Sequence, residues 1–198
     1  RTGSDHDASH VGHVTREDGP MVDLPFPQPS APSAPDAGVR PAHPRDASDL
    51  AAVQMAVWQR QYADLLPASS FDTATQTQMA QHWAESIAAP PTSTHAVLVA
   101  TAGRLLVGYA VTSPVEDEPG TGEVSDLQVH PDATRLGHGS RLLAAAVEHL
   151  RERDCTSVVT WTGAADTARR TFLESAGLAE DDDASARRRR VAPWSRLD

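Results

Sequence analysis

The sequence predicts one α+β domain over residues 39–198, in which helices are inserted among the strands of a mixed sheet. Two runs rich in apolar and β-branched residues, 96–101 and 105–113, flank a turn that contains Gly103, a pattern typical of a hairpin. Farther along, apolar residues recur at helical spacing over 142–150. Because strand and helix patterns alternate along the chain, an α+β fold is favoured over an all-α or all-β fold.

The first 38 residues differ in composition from the rest. Prolines interrupt them and large apolar side chains are few, so little surface is available to offset the entropy of ordering. We therefore expect residues 1–38 to form a disordered, Pro-rich tail. His6, His10 and His13 lie in it near two aspartates, but their spacing would suit a metal only in a helix, so we expect no metal there.

The first half of the domain is predicted to contain two helices and the hairpin. A short strand covers 39–42, and Asp46 or Ser48 caps a helix that ends near Pro67. A second helix runs from about Asp72 to Ala88.

The second half begins with a strand over Glu123–Val129. Regular alternation along it would place Val124, Asp126 and Gln128 on one face and Glu123, Ser125, Leu127 and Val129 on the other. The elements expected next are an amphipathic helix over 140–153, a strand over 156–161 in which Trp161 is a core residue, a helix over 164–175 ended by Gly177, and a last strand within 187–197.

Composition excludes several classes of function. The net charge of −10 argues against a nucleic-acid partner and fits a small or cationic substrate better. Cys155 is the only cysteine, which favours a reducing, cytoplasmic location. The longest apolar runs are too short to span a membrane, so no membrane partner is expected.

The segment 134–140, T-R-L-G-H-G-S, carries the clearest chemical signal. Gly137 and Gly139 have no Cβ, so a ligand can approach the backbone closely. The predicted helix points its free N–H groups and the positive end of its dipole at this turn, an arrangement that binds phosphate. No G-K-[ST] follows and the third glycine of a dinucleotide fingerprint is missing, so neither a P-loop nor a Rossmann site is indicated.

In its wider context this segment resembles a known signature. Residues 129–143, V-H-P-D-A-T-R-L-G-H-G-S-R-L-L, are similar to the coenzyme A signature V-x-P-x-x-[RQ]-G-x-G-[IL]-G-x-x-L-L of the GNAT N-acetyltransferases. Residues 166–178, D-T-A-R-R-T-F-L-E-S-A-G-L, resemble the family's N-x-x-A-x-x-F-Y-x-x-x-G-F. The order of predicted elements over 39–178 also fits. The chain therefore resembles this family both in its two motifs and in the order of its predicted elements.

The resemblance implies a GNAT-like fold, with a mixed, mostly antiparallel sheet that splays at its fourth strand and about four flanking helices. It implies acetyl-CoA as co-substrate, a primary amine of a small molecule or peptide as acceptor, direct attack in a ternary complex, and a homodimer as a possible assembly. The residues that it would place around the coenzyme are Leu127, Gln128, Val129, Arg135, Leu136, Gly137, His138, Gly139, Ser140, Asp166 and Phe172.

For catalysis the resemblance implies Glu123 as general base, with Asp126 as the alternative base or amine anchor. Trp58, Tyr62 and Trp83 would line the acceptor pocket or pack in the core. The chain departs from the family at Leu173, where a tyrosine usually protonates the leaving thiolate; water or Ser175 would have to substitute. That departure keeps an alternative open, a weakly active or inactive acyl-CoA-binding sensor on the same fold.

Overall fold

A computed structural model describes residues 37–163, 165–180 and 188–191. Most of the predicted tail, including His6, His10 and His13, lies outside the described residues. Its last two residues, Ala37 and Gly38, belong to the first strand, which therefore begins two residues earlier than the domain boundary predicted from the sequence.

The predicted α+β class is confirmed by a seven-stranded sheet and four α-helices in the described part of the chain. In chain order the elements are β1 (Ala37–Pro41), α1 (Ala47–Tyr62), α2 (Thr73–Ala88), β2 (Ala96–Ala102), β3 (Leu105–Pro114), β4 (Thr121–Val129), α3 (His138–Arg151), β5 (Ser157–Trp161), α4 (Thr167–Ser175), β6 (Leu178–Glu180) and β7 (Arg188–Val191). The strand order is β1-β2-β3-β4-β5-β7-β6, and only the β4–β5 pair is parallel.

The helices cover opposite faces of the sheet. The apolar stripe of α3 packs on one face, which we call the α3 face, with Leu142 and Leu150 fully buried there. On the other face, which we call the α1–α2 face, Leu50 of α1 and Trp83 of α2 pack against Val99 and Tyr109 of the sheet. None of the helices in the described residues is long and apolar enough to cross a membrane.

A break in the β3–β4 register corrects the alternation predicted for β4. Thr112 lies opposite Val124 and Val111 opposite Asp126, so Ser125 is an extra residue, a β-bulge. Because of the extra residue, each β4 side chain after Ser125 lies on the face opposite to the one that regular alternation predicts. Val124 and Leu127 therefore both pack on the α3 face, whereas Glu123 and Asp126 share the α1–α2 face, because their partners on β3 are Ser113 and Val111. The prediction that these two carboxylates point to opposite faces is wrong.

The start of α1 also differs from the prediction. Asp46 is the N-cap by position, yet its side chain does not cap the helix. Its carboxylate instead accepts hydrogen bonds from the Arg40 guanidinium at 2.7 and 2.9 Å and from the His43 N–H at 2.7 Å. Asp46 is buried, and it ties β1 to the turn before α1. The second helix begins at Thr73, next to the predicted start at Asp72, and the Asp72 side chain caps it by accepting the Thr75 N–H at 2.8 Å.

Asp46→Asn is expected to lower the free energy of unfolding in a pH-dependent way. The Arg40 hydrogen bonds hold the pKa of Asp46 at about 2, below its ordinary 3.8. A carboxyl group whose pKa is lower in the folded than in the unfolded protein stabilises the fold at pH values above its unfolded-state pKa. This stabilisation is lost as the pH falls through its folded-state pKa. The shift corresponds to about 2 kcal/mol at pH 7. In urea denaturation, the gap between wild type and variant should therefore narrow from pH 4 towards pH 2; a constant gap would contradict this assignment.

Candidate active site

The turn before α3 presents unpaired backbone donors, as the sequence predicted. Gly137 is the N-cap in the left-handed region, with φ of 79°, and α3 begins at His138. The first N–H with a helical acceptor in this turn is that of Arg141, which donates to the Gly137 carbonyl at 3.2 Å. The N–H groups of His138, Gly139 and Ser140 precede it, so they have no acceptor within the helix and face the turn.

The two glycines act in different ways. At Gly137 the positive φ itself disfavours a side chain. At Gly139 the backbone is ordinary, and a Cβ would lie 3.7 Å from Phe172 and 3.8 Å from Val129, which is normal contact. A methyl group would therefore fit there, whereas a larger side chain would project into the space bounded by α3, α4 and β4.

The other residues predicted to lie around the coenzyme differ in exposure. Arg135, with φ of 62°, and Leu136 are exposed on the turn. The His138 ring is buried, and burial, with a smaller contribution from Arg141, lowers its pKa, so it is neutral at pH 7. Asp166 caps α4 by accepting the Arg169 N–H at 2.9 Å.

An open strand edge leads away from this turn. β4 pairs with β5 only from Thr121 to Val124, although β4 continues to Val129. Past the splay, the Leu127 carbonyl points away from β3 and accepts a hydrogen bond at 3.1 Å from Nη1 of Arg169 on α4. Since the N–H and C=O of one strand residue point to the same side, Leu127 and Val129 present both groups to the gap. This edge can accept an extended ligand as an added strand.

Gln128 does not belong to that edge, although the sequence placed it among the coenzyme contacts. It lies opposite Tyr109 and so pairs with β3. Its side-chain amide donates to Oδ1 of Asp126 at 2.9 Å. The structure corrects its position: Gln128 holds a carboxylate on the α1–α2 face.

Asp126 and Glu123 are held to different degrees. Asp126 accepts from Gln128 and, at 2.9 Å, from the buried Tyr109 hydroxyl. Glu123 has a long contact of 3.5 Å with the Ser113 hydroxyl and borders a cavity of about 400 Å³. That cavity is also lined by His95, Pro114, Val115, Glu116, Val159 and Trp161. Glu123 thus faces an open, acidic pocket, while Asp126 is fixed beside the splay.

Trp161, expected in the core, is 43% exposed and forms part of the same cavity wall. Of the three aromatic residues predicted for the acceptor pocket, Trp83 is buried, donates its indole N–H to Gln54 at 2.9 Å and packs edge-on against Tyr109 with ring centroids 5.0 Å apart. The structure therefore supports its core role and not a pocket wall. Trp58 is half-buried and Tyr62 is exposed near the end of α1.

Tyr109→Phe is expected to reduce kcat by about tenfold, the effect of about one lost hydrogen bond, with little loss of stability. Burial, then the charge of Asp126 and the hydrogen bond to it, raise the pKa of Tyr109 far above its ordinary value, so the hydroxyl remains a donor at any working pH. Steady-state kinetics and thermal melting on the same samples would check this. An unchanged kcat would show that Asp126 does not need this donor.

The structure does not support Ser175 as the replacement for the missing tyrosine. Leu173 is 2% exposed and belongs to the core on the α3 face. The Ser175 hydroxyl donates to the Phe172 carbonyl at 2.7 Å. Among the described residues no group of His, Cys, Asp or Glu side chains is arranged to hold a metal ion.

Sequence reasoning missed Arg169. A signal was present, since the family motif has alanine at the position that Arg169 occupies between Asp166 and Phe172. An arginine at a position usually held by a small residue must either extend into the gap beside β4 or point away from it. The Arg169 side chain extends into the gap, where it binds the Leu127 carbonyl.

Comparison with known proteins agrees with this geometry. The profile of the acetyltransferase (GNAT) family matches residues 56–178, more than half of the chain. A comparison with curated protein sequences found no match. The chain belongs to the GNAT acetyltransferase family, as its signature predicted, and is accordingly an N-acetyltransferase that depends on an acyl-CoA donor.

Solved structures share the fold at low identity. The PaiA N-acetyltransferase from Thermoplasma acidophilum in complex with coenzyme A is 15% identical, with a TM-score of 0.65, over 78% of this chain and 98% of that chain. YncA from Salmonella typhimurium with its cofactor acetyl-CoA is 17% identical, with a TM-score of 0.59, over 82% and 95%. The ribosomal-protein-alanine N-acetyltransferase from Brucella melitensis is 20% identical, with a TM-score of 0.57, over 77% and 98%. These likenesses confirm the splayed GNAT-like fold.

Proposed function

We propose that this enzyme transfers the acetyl group of acetyl-CoA to a cationic primary amine, with the acyl-CoA along the open edge of β4 and the amine in the cavity beside Glu123. The observation that carries the proposal is the early end of the β4–β5 pairing. It leaves Leu127 and Val129 without a neighbouring strand on that side, along a line that leads to the free N–H groups at the start of α3.

Each part of acetyl-CoA has a binding partner along this line. The pyrophosphate accepts hydrogen bonds from the N–H groups of His138, Gly139 and Ser140, with Arg135 adding positive charge. The pantetheine arm pairs with the edge of β4, and the thioester carbonyl lies near Leu127, where a backbone N–H stabilises the developing oxyanion.

Glu123 takes the proton that the amine must lose before it attacks. It borders the cavity, and its hydrogen bond to a described residue is the weak Ser113 contact, so its carboxylate can bind an amine directly or through water. Asp126, held by two donors, is better suited to anchor the substrate's charge. The neighbouring Glu116 and the Trp161 ring favour a cation in the same cavity. The acceptor is a small molecule or a peptide.

We further propose a reducing compartment and a homodimeric assembly for this enzyme. The lone buried Cys155 suits a reducing compartment such as the cytoplasm. A homodimer is proposed as the assembly on the family resemblance alone, and sedimentation would test it.

The test is acetyl-CoA turnover, followed as free thiol, against polyamines, aminoglycosides, amino acids and peptide N-termini. Turnover with a cationic amine is expected, and anionic or neutral analogues of that amine should react more slowly. The buried Leu173 favours a second candidate, an acyl-CoA sensor without catalysis. Tight acetyl-CoA binding with no turnover on any amine would overturn the first proposal in favour of the second.

A further inference from the structure

The gap beside β4 contains a cationic side chain, that of Arg169, which has no role in the mechanism proposed above. Arg169 of α4 is partly buried, and its Nη1 donates to the Leu127 carbonyl at 3.1 Å. Its Nε is buried and has no hydrogen-bond partner among the described residues. A guanidinium carries five N–H donors in a fixed plane, so the Leu127 contact leaves others available in the gap.

The charge of Arg169 extends to the α1–α2 side of the splay. It acts on the Tyr109 hydroxyl, lowering the pKa of that group against the larger raising effects of burial and Asp126. Arg169 also lies one turn before Leu173 on α4, a spacing that puts both on the same side of the helix. The Arg169 side chain therefore starts from the side of α4 on which the resemblance places a proton donor and on which this chain has a buried leucine.

Acyl transfer releases negative charge in this region. The neutral amine attacks the thioester carbonyl carbon and forms a C–N bond, and the electron pair of the C=O moves to oxygen. When the carbonyl forms again, the C–S bond breaks and its electron pair stays on sulfur as a thiolate. Glu123 has taken one proton from the amine before the attack, so the second proton of the nitrogen passes to solvent when the carbonyl forms again. A thiolate leaves more readily if a fixed charge lies beside the sulfur.

We propose that the Arg169 guanidinium stabilises the leaving thiolate of coenzyme A, an inference that rests on the proposed placement of the thioester beside Leu127. Arg169 acts as a permanent charge and not as an acid, because a guanidinium keeps its proton at any working pH. The thiolate takes its proton from solvent on release. The Leu127 contact holds the guanidinium in the gap before the donor binds.

Other ionisable groups near Arg169 must be separated from this effect. On β3, β4 and α4 they are Tyr109, Asp126, Asp166 and Arg170, and α3, which also borders the gap, carries His138. Comparison of coenzyme A with desulfo-coenzyme A cancels the part of their titration that affects both ligands equally, and the Arg169 variants then separate the effect of this guanidinium on the thiol.

The experiment measures the affinity of both ligands by calorimetry at pH 7.0 and 9.5, under reducing conditions, and needs no acceptor. A free thiol titrates near pH 8.5, so ionisation beside a cation should raise the affinity ratio of coenzyme A to desulfo-coenzyme A by about tenfold between the two pH values. Arg169→Gln should abolish the rise. Arg170→Gln, the matched control, should keep it, and Arg169→Lys should keep part of it.

A ratio that does not change with pH in the wild-type protein would overturn the proposal, whether or not the variants fold. A rise that survives in a folded Arg169→Gln protein, or that is lost in Arg170→Gln, would overturn it as well. Failure of both ligands to bind at either pH has a different meaning, since it contradicts the proposed acyl-CoA site itself and this inference with it.

Discussion

Glu123→Gln reduces kcat by about 10²–10⁴-fold, the usual contribution of a positioned general base, and leaves the affinity for acetyl-CoA unchanged. The amide has nearly the shape of the carboxylate but cannot take a proton from the attacking amine. The structure supports a selective effect, because Glu123 lies on the α1–α2 face beside the cavity and not on the open edge of β4. Because a protonated amine cannot attack, the rate of the variant should also rise with pH up to the pKa of the acceptor.

The control is Glu148→Gln, which removes an exposed carboxylate of α3 that makes a 3.9 Å contact with Arg151 and is remote from the cavity. It should leave kcat unchanged. If Glu123→Gln retained full activity while Asp126→Asn lost it, the base would be Asp126. Full activity in both single variants would contradict any role for the β4 carboxylates as base.

Gly139→Leu weakens coenzyme A binding by about 100-fold or more, because it separates the ligand from charge-assisted hydrogen bonds of about 1.5–3 kcal/mol each. The leucine side chain would project into the space between α3, α4 and β4, towards Phe172 and Val129. Gly139→Ala should fold well and have a smaller effect on affinity, since its Cβ makes ordinary contacts and alanine favours a helix by about 1 kcal/mol over glycine.

The matched control for the leucine variant is Gly38→Leu, at an exposed position of β1 where an added Cβ meets only Thr101 at 3.8 Å. Both proteins should melt cooperatively, and only the Gly139 variant should lose affinity in calorimetry. An unchanged dissociation constant in folded Gly139→Leu would mean that the ligand does not approach this backbone.

The order of elements was predictable because each is encoded locally. The leucine stripe of α3, the Asp72 cap of α2 and the glycine turn of the β2–β3 hairpin need only a few neighbouring residues to be recognised. The bulge at Ser125 was not predictable in this way. It depends on which residue of β3 lies opposite, and nothing within β4 marks the extra residue.

The site shows the same division between local and long-range information. The glycines of the α3 turn lie within the signature, and the family resemblance proposed Glu123 and Asp126 as candidates. That the two carboxylates share one face depends on the bulge. For Trp83 the sequence left pocket and core open, and for Trp161 it predicted the core, because burial depends on packing between distant elements. Trp83 packs against α1 and the sheet, while Trp161 ends its strand at the rim of a cavity. Asp46 looked like a helix cap, yet an arginine six residues earlier binds its carboxylate.

The central claim is that the first N–H groups of α3 bind the pyrophosphate of the coenzyme. The most direct measurement is a ¹H–¹⁵N NMR titration of the amides of His138, Gly139 and Ser140 with coenzyme A and with pantetheine, which lacks the phosphates. The account predicts large downfield proton shifts of these amides with coenzyme A and small ones with pantetheine, while the Leu127 and Val129 amides respond to both. Equal responses of the α3 amides to the two ligands, or none to coenzyme A at saturation, would contradict it.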